Sequence, residues 1–296
     1  MNCNNQLEVS VIVVTYNSSK TVVETLDSIA NQTYPNLELV VSDDCSTDNT
    51  VEICREWIEA HKERFVRTEL LTVEKNTGVS ANMNRAERAC KGKWVKPIAG
   101  DDMLLPDCIE TYLNYVERNS DAVYVFARMA FFGGDEKNRI SRSKWYTDHA
   151  GSFFGSSIEE QYDFLTLVGN CVPAASAFYN RASVETLGIV NDERIPFLED
   201  APKWINLLKK GVRFHYIDEE TVKYRLSDTS LCRKTPEKFD KSKAMLYVYY
   251  CFDNDFRKGN KREALLKWLR AQRTIHDNSI LWRMMIKLYK TFVPLT

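Results

Sequence analysis

Short apolar strands alternate with helical segments over the first hundred residues, and this pattern limits the fold more than any other feature. Val9–Thr15 and Leu37–Ser42 are nearly continuous runs of aliphatic residues, which is typical of strands buried on both faces. The predicted strands and helices follow one another as 9–15, 20–32, 37–42, 51–58, 69–73, 78–90 and 93–98. Such alternation predicts a parallel sheet with right-handed crossover connections.

Each of these predicted strands is followed by a polar cluster. The clusters are Tyr16-Asn17, Asp43-Asp44, Asn76-Thr77-Gly78 and Asp101-Asp102. In a parallel sheet the carboxyl ends of the strands share one edge, and ligands bind beyond that edge. We therefore expect residues that are far apart in the chain to form one binding site.

The chemistry of this edge is acidic. The sequence contains neither G-x-G-x-x-G after the first strand nor G-x-x-x-x-G-K-[ST], so dinucleotide-binding and P-loop interpretations lose their main support. Carboxylates bind a diphosphate only with a divalent cation between the like charges. Mg²⁺ or Mn²⁺ held by one or two carboxylates and substrate phosphate oxygens suits this arrangement.

Several segments in fixed order resemble those of the family 2 glycosyltransferases, which have the GT-A fold and use nucleotide-diphospho-sugars. The matching segments are Val9–Asn17, Ser28–Tyr34, Leu39–Asp48, Asn76–Asn84, Gly100–Asp102, Leu198–Asp200 and Tyr224–Arg225. They extend over about residues 9–230. The resemblance is specific for the family and leaves the donor sugar, the acceptor and the linkage open.

The resemblance implies a role for individual residues. Tyr16 and Asp44 would contact the base of the donor, UDP-sugars being favoured, and Asp101 would lie near the ribose. Asp102 would bind Mn²⁺ or Mg²⁺, and Asp200 would be the general base of an inverting transfer. The remaining assignments are Thr15, Asn17, Asn76 and Gly78 on the donor side, and Glu199 and Arg225 on the acceptor side.

Two departures from the family pattern concern these sites. The family often has D-x-D-D at the metal motif, whereas Ala99 takes the first position here, which leaves Asp102 as the main protein ligand. Ala201 and Pro202 follow the Glu199-Asp200 pair where a bulky residue is usual. The resemblance therefore does not define the rim of the acceptor pocket.

The fold class predicted is α/β, of GT-A type, with a mostly parallel Rossmann-like sheet flanked by helices. Residues 1–105 would form the nucleotide-sugar half, 106–235 the acceptor half of the same domain, and 236–296 a helical extension. In the acceptor half we predict helices at 106–119 and 199–210, and strands at 122–127, 171–179, 214–217 and 221–224. Residues 133–155 are predicted as a long polar loop in which Trp145 and Tyr146 stack on a sugar ring.

Other interpretations of these residues are open at this stage. Asp43-Asp44 with Ser46 and Thr47 could cap a helix, and Glu199-Asp200 could complement a helix dipole. A sugar nucleotidyltransferase is one alternative function, but it would show a basic, glycine-rich loop after the first strand. A catalytically silent protein that binds nucleotide-sugars or glycans is another, and donor hydrolysis would distinguish it from an enzyme.

Composition excludes some classes of function. Forty basic and 41 acidic residues give a net charge of -1, which argues against a nucleic-acid binder. The sequence contains no run of about 18 apolar residues that would predict a membrane-spanning helix. The polar start at 1–6 does not resemble a secretory signal. Eight scattered cysteines without a C-x-x-C spacing suit a reducing compartment. We expect a cytoplasmic protein.

The C-terminal segment is basic. Between Arg257 and Lys290 the chain has ten basic residues against Glu263 and Asp277 alone. Residues 280–289 then mix bulky apolar and basic positions. This helix is predicted either to lie on an anionic membrane surface, near a saccharide or lipid-linked acceptor, or to pack on the catalytic domain or in a dimer interface.

Overall fold

The computed structural model describes residues 9–227, 235–277 and 279–292. The predicted polar start at 1–6, together with Cys3 and Cys232, lies outside these ranges. The strands are β1 (Val9–Thr15), β2 (Leu37–Asp43), β3 (Arg67–Leu71), β4 (Trp94–Ala99), β5 (Met103–Leu104), β6 (Tyr124–Gly133), β7 (Phe178–Asn180) and β8 (Phe214–Leu226).

Helices cover the sheet and form the C-terminal part of the chain. The α-helices are α1 (Val22–Ala30), α2 (Thr50–His61), α3 (Val79–Ala89), α4 (Cys108–Arg118), α5 (Glu136–Gly155), α6 (Ile158–Asp163), α7 (Arg181–Thr186), α8 (Asp200–Lys209), α9 (Pro236–Leu246), α10 (Phe252–Lys258), α11 (Lys261–Ile275) and α12 (Ile280–Phe292). Short 3-10 turns lie at Lys62–Arg64 and Ala174–Ser176, and π-helical turns at Phe164–Val168 and Tyr247–Cys251.

The strands form one eight-stranded sheet with the order β3-β2-β1-β4-β7-β6-β8-β5. β1 pairs in parallel with both β2 and β4, and β2 pairs in parallel with β3. β7 is antiparallel to β4 and β6, whereas β6 and β8 are parallel. The predicted α/β class with a mostly parallel sheet is confirmed.

The order of the strands creates a topological switch point beside β1. After β1 the chain moves outward to β2 and β3, and it then returns to place β4 on the other side of β1. Connections therefore leave the carboxyl ends of β1 and β4 in opposite directions and open a crevice between them. Ligands bind at such points in open α/β sheets.

Both faces of the central strands are buried, as the apolar runs predict. Ile12 and Val40 point into one core with Phe126 and Trp204. Val11, Val13 and Leu39 point into the other core, on the opposite face of the sheet. Because a shift of one residue would exchange the two faces, this packing fixes the register that aligns Thr15 with Asp43 and Val14 with Ala99.

The prediction of a long polar loop at 133–155 is wrong, because residues Glu136–Gly155 form a helix. Asp135 caps it by accepting a hydrogen bond from the backbone N–H of Asn138 at 2.9 Å. Only Ala150, Phe153 and Phe154 are buried, all near its C-terminal end. The first turns thus lack the apolar stripe by which an amphipathic helix is recognised in a sequence.

Two strand predictions in the acceptor half also need correction. Residues 171–179 do not form one strand: a 3-10 turn at Ala174–Ser176, in which Ser176 N–H donates to Pro173 O, precedes the short β7. The two strands predicted at 214–217 and 221–224 are one strand, β8, whose register with β6 shifts around Arg128. A bulge of this kind keeps a strand continuous across a polar interruption.

The C-terminal helices join the domain unequally. Tyr250 and Cys251 belong to the core that contains Phe126, and Asn254 Nδ2 donates to Asp163 Oδ1 at 2.9 Å. By contrast, Ile286 of α12 packs with Leu266 and Leu269 of α11 in a separate small cluster. No helix in the described ranges is long and apolar enough to cross a membrane.

Candidate active site

At the carboxyl ends of β1 and β4, the backbone after β4 lies close to the end of β1 and to the start of α1. Gly100 N–H donates to Val14 O at 2.9 Å, and Thr21 Oγ1 donates to Gly100 O at 2.8 Å. A Cβ atom on Gly100 would lie 2.8 Å from Thr15 Cγ2, so this position requires glycine. The glycine lets the carboxyl ends of β1 and β4 lie side by side.

The loops after β1 and β2 are tied together by Asp43. Its carboxylate accepts hydrogen bonds from Thr15 Oγ1 at 2.8 Å and from the Ser46 backbone N–H at 2.7 Å. Asn17 N–H in turn donates to Ser46 Oγ at 2.7 Å. Asn17 and Cys45 have φ angles of 53° and 66°, in the left-handed region that few non-glycine residues adopt. The two loops therefore form one shaped surface.

Asp44 organises the loop that follows β3. Its carboxylate accepts hydrogen bonds from Thr77 N–H at 3.0 Å, Thr77 Oγ1 at 2.6 Å and Gly78 N–H at 2.8 Å, and Arg85 lies 3.3 Å away. Asn76 Nδ2 donates to Asp44 O at 3.0 Å. The structure thus brings Asp44, Asn76 and Gly78 together. Tyr16 is exposed, as a residue that contacts a ligand would be.

Asp101 and Asp102 lie against Arg225, at the end of β8. The backbone N–H of Arg225 donates to Asp102 Oδ1 at 2.8 Å, and Arg225 Nε donates to Asp101 O at 2.8 Å. The guanidinium also bonds Glu24 and lies 4.4 Å from the ring centroid of Phe132. The structure therefore places Arg225 beside the metal motif.

Burial raises the pKa of both carboxyl groups at this motif. Burial is the largest cause for Asp101, opposed by the charge of Arg225. For Asp102 burial and the neighbouring Asp101 carboxylate raise the pKa well above its usual range, since Arg225 and Lys96 compensate only in part. A cation at this place would relieve that unfavourable charge.

The donor set fits a cation shared with a substrate rather than a metal cage made by protein alone. Within residues 9–227, 235–277 and 279–292, no group of three or more His, Cys, Asp or Glu side chains is arranged to hold a metal ion. Mg²⁺ commonly binds one or two carboxylates together with substrate phosphates. Asp102 is the carboxylate that the sequence predicts for this mode, and its role as a ligand stays a prediction.

Asp200 begins α8 and is held by two donors. Asn170 Nδ2 donates to Asp200 Oδ2 at 2.6 Å, and Ala201 N–H donates to Asp200 Oδ1 at 2.7 Å. Burial raises the pKa of Asp200, and these two hydrogen bonds oppose the increase. Burial and the Asp200 charge also raise the pKa of Glu199 to about 8. Asp200 is therefore a stronger base than an exposed aspartate.

The segment before α8 joins this acidic pair to the donor side. Val79 N–H donates to Pro196 O at 3.0 Å, and Ser80 Oγ donates to Ile195 O at 2.9 Å. Gly78, with a φ of +89°, faces Pro196 so closely that an added Cβ would lie 2.8 Å from Pro196 Cβ. Asp200 lies four residues beyond Pro196, so these bonds tie the segment that leads to the acidic pair to the start of α3.

The helix α5 brings Tyr146 to the same region. The ring of Tyr146 stacks on Phe131 with centroids 5.7 Å apart, and Phe131 contacts Tyr224. Burial, followed by the charge of Asp200, raises the pKa of Tyr146 to about 12. Trp145 has a different environment, since the centroid of its ring lies 4.0 Å from the centroid of the His149 ring. The two aromatic residues thus do not form one surface.

Two residues of this site were not predicted from the sequence. Asn170 lies thirty residues before Asp200, and no spacing links them. Arg85 bonds Ser42 Oγ, Asn82 Oδ1 and Asp44. Its position three residues after Asn82 on α3 is a signal that could have revealed it, because residues three apart share a helix face.

A cavity of about 690 Å³ lies elsewhere, along α3 and α8 and the connection that leads from α7. Its lining includes Arg88, Asp192, Arg194 and Lys209 and none of the predicted site residues. Asp192 is already bonded to Arg194 and to Tyr250. We therefore assign the chemistry to the open sheet edge and not to this cavity.

Solved structures with a similar fold are glycosyltransferases. The structure of S. aureus TarS 1-349 in complex with UDP-GlcNAc matches with a TM-score of 0.60 at 18% identity, covering 90% of this chain and 81% of that one. The mannosyltransferase PcManGT from Pyrobaculum calidifontis, in complex with GDP-Man and Mn2+, matches with a TM-score of 0.57 at 18% identity, covering 98% and 81%. These likenesses show the fold, which is GT-A.

Sequence comparisons identify the family. The putative teichuronic acid biosynthesis glycosyltransferase TuaG of Bacillus subtilis is 25% identical over 81% of this chain and 86% of its own length. The putative glycosyltransferase EpsE of the same organism is 30% identical over 78% of each chain. The family model described as "Glycosyl transferase family 2" matches residues 10–188. More than half of the sequence is thereby covered, and the chain belongs to glycosyl transferase family 2.

Proposed function

We propose that this chain is an inverting, metal-dependent glycosyltransferase that moves a sugar from a nucleotide-diphospho-sugar to an acceptor hydroxyl. The observation that carries the proposal is the contact between Pro196 and the start of α3, at Gly78 and Val79. It ties the segment that leads to the acidic pair at α8 to the loop held by Asp44, which supports a base that acts near the predicted donor site.

In this proposal Asp200 takes the proton of the acceptor hydroxyl. The raised pKa that burial gives Asp200 makes it a better base, and Asn170 and Ala201 fix the orientation of its carboxylate. General base catalysis of this kind contributes about 10²–10⁴ in rate. Attack from the face opposite the leaving group inverts the anomeric carbon, so no covalent intermediate is required.

The donor would bind across the loops after β1, β2, β3 and β4. Thr15, Tyr16, Asn17, Asp44 and Asp101 are the residues proposed to hold the nucleoside. Asp102 would hold Mn²⁺ or Mg²⁺, which would supply positive charge to the departing nucleoside diphosphate. Arg225, bonded to both aspartates, would keep them in place.

Two observations support the substrate class. The similar structures contain UDP-GlcNAc and GDP-Man, which are nucleotide-diphospho-sugars. One relative is named for teichuronic acid biosynthesis, so a role in assembling a polysaccharide or a lipid-linked glycan is the proposed biological setting. UDP-sugars are the favoured donors.

Metal-dependent donor binding tests the first half of the proposal. Calorimetry with UDP and Mn²⁺ is expected to show affinity that falls at least about tenfold in Asp102→Asn, because the substitution removes the anionic ligand. Asp218→Asn, at an exposed position, is the matched control. Unchanged affinity in Asp102→Asn would reject Asp102 as the metal ligand.

Transfer and hydrolysis test the second half. Asp200→Asn is expected to keep UDP binding and to lose at least about 100-fold in turnover, since an amide cannot accept the proton. Retained turnover would reject Asp200 as the base. If the unaltered protein binds UDP-sugars with Mn²⁺ but neither hydrolyses nor transfers them, it is a binding protein, and release of pyrophosphate from UTP and a sugar phosphate would indicate a nucleotidyltransferase.

A further inference from the structure

The last described helix, α12, exposes an apolar surface that no other described element covers. Five large side chains form this surface, which we name the apolar arc: Ile280 (75% exposed), Leu281 (63%), Met284 (57%), Leu288 (54%) and Met285 (38%). Single exposed apolar residues are ordinary on protein surfaces, whereas a contiguous patch marks an interaction site.

Helical geometry divides α12 into three sides. At about 100° per residue, the apolar arc spans roughly 140° of the helix circumference. Trp282, Ile286 and Tyr289 lie on a second side and pack against α11 near Leu266 and Leu269. The helix therefore already has its contact with the domain, and the apolar arc faces away from it.

The third side is positively charged. Arg283, Lys287 and Lys290 form a basic arc that borders the apolar arc next to Ile280 and Met284. All three are exposed, and the sequence from Ile280 to Phe292 contains no acidic residue. An apolar side flanked by basic residues is the pattern of helices that lie in the interface of an anionic membrane.

We propose that α12 docks this protein on the surface of an anionic lipid bilayer. The apolar arc enters the headgroup boundary, and the basic arc contacts lipid phosphates. The helix lies parallel to the membrane plane and does not cross it, which agrees with its 13 residues, fewer than the about 20 that spanning requires. This inference does not depend on the proposed transfer reaction.

The distribution of charge favours lipid over a second copy of the chain. In a two-fold symmetric dimer the same patch meets itself, and because α12 has no acidic residue, neither basic arc would find an acidic partner on the facing helix. An anionic bilayer supplies the opposite charge. It also covers an apolar surface that is convex, whereas a protein partner would need a matching groove.

Sedimentation of the full chain with lipid vesicles tests the proposal. We expect binding to vesicles of phosphatidylcholine mixed equally with phosphatidylglycerol, and much weaker binding to phosphatidylcholine alone. The double variant Met284→Ser/Leu288→Ser is expected to lower the affinity at least about tenfold. Arg283→Glu/Lys287→Glu is expected to remove the preference for anionic vesicles, and high salt should weaken the binding of the unaltered chain.

Matched variants elsewhere distinguish a specific surface from general stickiness. Val66→Ser/Ile140→Ser replaces two other exposed apolar residues, and Arg55→Glu/Arg118→Glu reverses two other exposed charges. Both are expected to bind vesicles like the unaltered chain. If the α12 variants bound vesicles as well as the unaltered chain does, the proposal would be overturned. It would also be overturned if sedimentation equilibrium showed a dimer of the unaltered chain that Met284→Ser/Leu288→Ser dissociates. Circular dichroism confirms that the variants fold.

Discussion

At the scale of single residues, Asp200 is subject to opposing influences. Burial raises its pKa, while hydrogen bonds from Asn170 and from the Ala201 backbone lower it. A general base needs this balance, because it must be basic enough to accept a proton and yet ionised at the working pH. Asn170 donates directly to Asp200, and we propose it as a positioning residue for the predicted base.

Replacing Asn170 tests that role. In Asn170→Ala the carboxylate loses a donor that stabilises its charged form, so the pKa of Asp200 rises further. Since the base must be deprotonated, the acidic limb of the pH–kcat profile is expected to move to higher pH. At a pH on that limb, kcat is expected to fall while the donor KM is unchanged. Steady-state kinetics across pH measure both.

The companion variant Asn170→Asp gives the sign of the effect. A second carboxylate at this place would raise the pKa of Asp200 more than alanine does, so the acidic limb is expected to shift further in the same direction. A variant with lower kcat but an unshifted pH profile would show that Asn170 only supports the local fold.

At the scale of elements, the connection from β3 to α3 is the most constrained part of the site. Gly78 has a φ of +89° and no room for a Cβ beside Pro196. Gly211, after α8, has a φ of +79° with nothing within 4 Å of an added Cβ. The two glycines share a positive φ, but Gly78 also has a ψ of 162° and differs from Gly211 in its surroundings.

Alanine at each glycine separates backbone strain from steric overlap. Gly211→Ala is expected to lower the free energy of unfolding by about 1–2 kcal/mol because of the positive φ, and Gly78→Ala by about 1–3 kcal/mol because a φ of 89° with a ψ of 162° is a conformation that glycine alone adopts readily. Gly78→Ala is expected to lose about 1–3 kcal/mol more, since Pro196 must move. It should also weaken UDP binding, whereas Gly211→Ala should not. Denaturant unfolding and calorimetry measure these quantities, and equal losses would show that Pro196 gives way freely.

The same scale shows what the sequence could predict and what it could not. The strands β1, β2 and β4 were predictable because they are buried on both faces and are mostly apolar, whereas β3, at the edge of the sheet, is only partly buried. The clusters after them followed from the topology of a parallel sheet. Helix α5 was not predictable, because its first turns are polar on all sides and its position depends on Phe131 and the core around Phe153.

The acceptor side of the site was predictable only in part, because one of its residues comes from a distant segment of the chain. Asp200 belongs to a local motif, whereas Asn170 reaches it from a connection after a π-helical turn, across a distance that no short pattern encodes. Tyr146 was expected near a sugar within a loop, but a helix places it beside Phe131 and Asp200. Its role in binding an acceptor stays a prediction.

At the scale of the whole molecule, the C-terminal helices differ in how deeply they belong to the domain. Tyr250 lies in the main core, and its hydroxyl donates to Asp192 Oδ2 at 2.7 Å. Asn254 Nδ2 donates both to Asp163 Oδ1 and to Thr166 Oγ1. α12, in contrast, packs in the small cluster that it forms with α11, and its Trp282 stacks on His276 just after α11.

Two truncations are therefore expected to behave differently. A chain that stops before α12, at residue 278, should unfold in one cooperative transition and bind UDP with Mn²⁺ as the full chain does, because the described apolar side chains that pack α12 belong to its cluster with α11. A chain that stops at residue 235 should lose cooperative unfolding and UDP binding, since it exposes the core beneath Tyr250 and Cys251. Thermal unfolding and calorimetry compare them. A stable, UDP-binding chain of residues 1–235 would show that the helices from α9 onward form a separate unit.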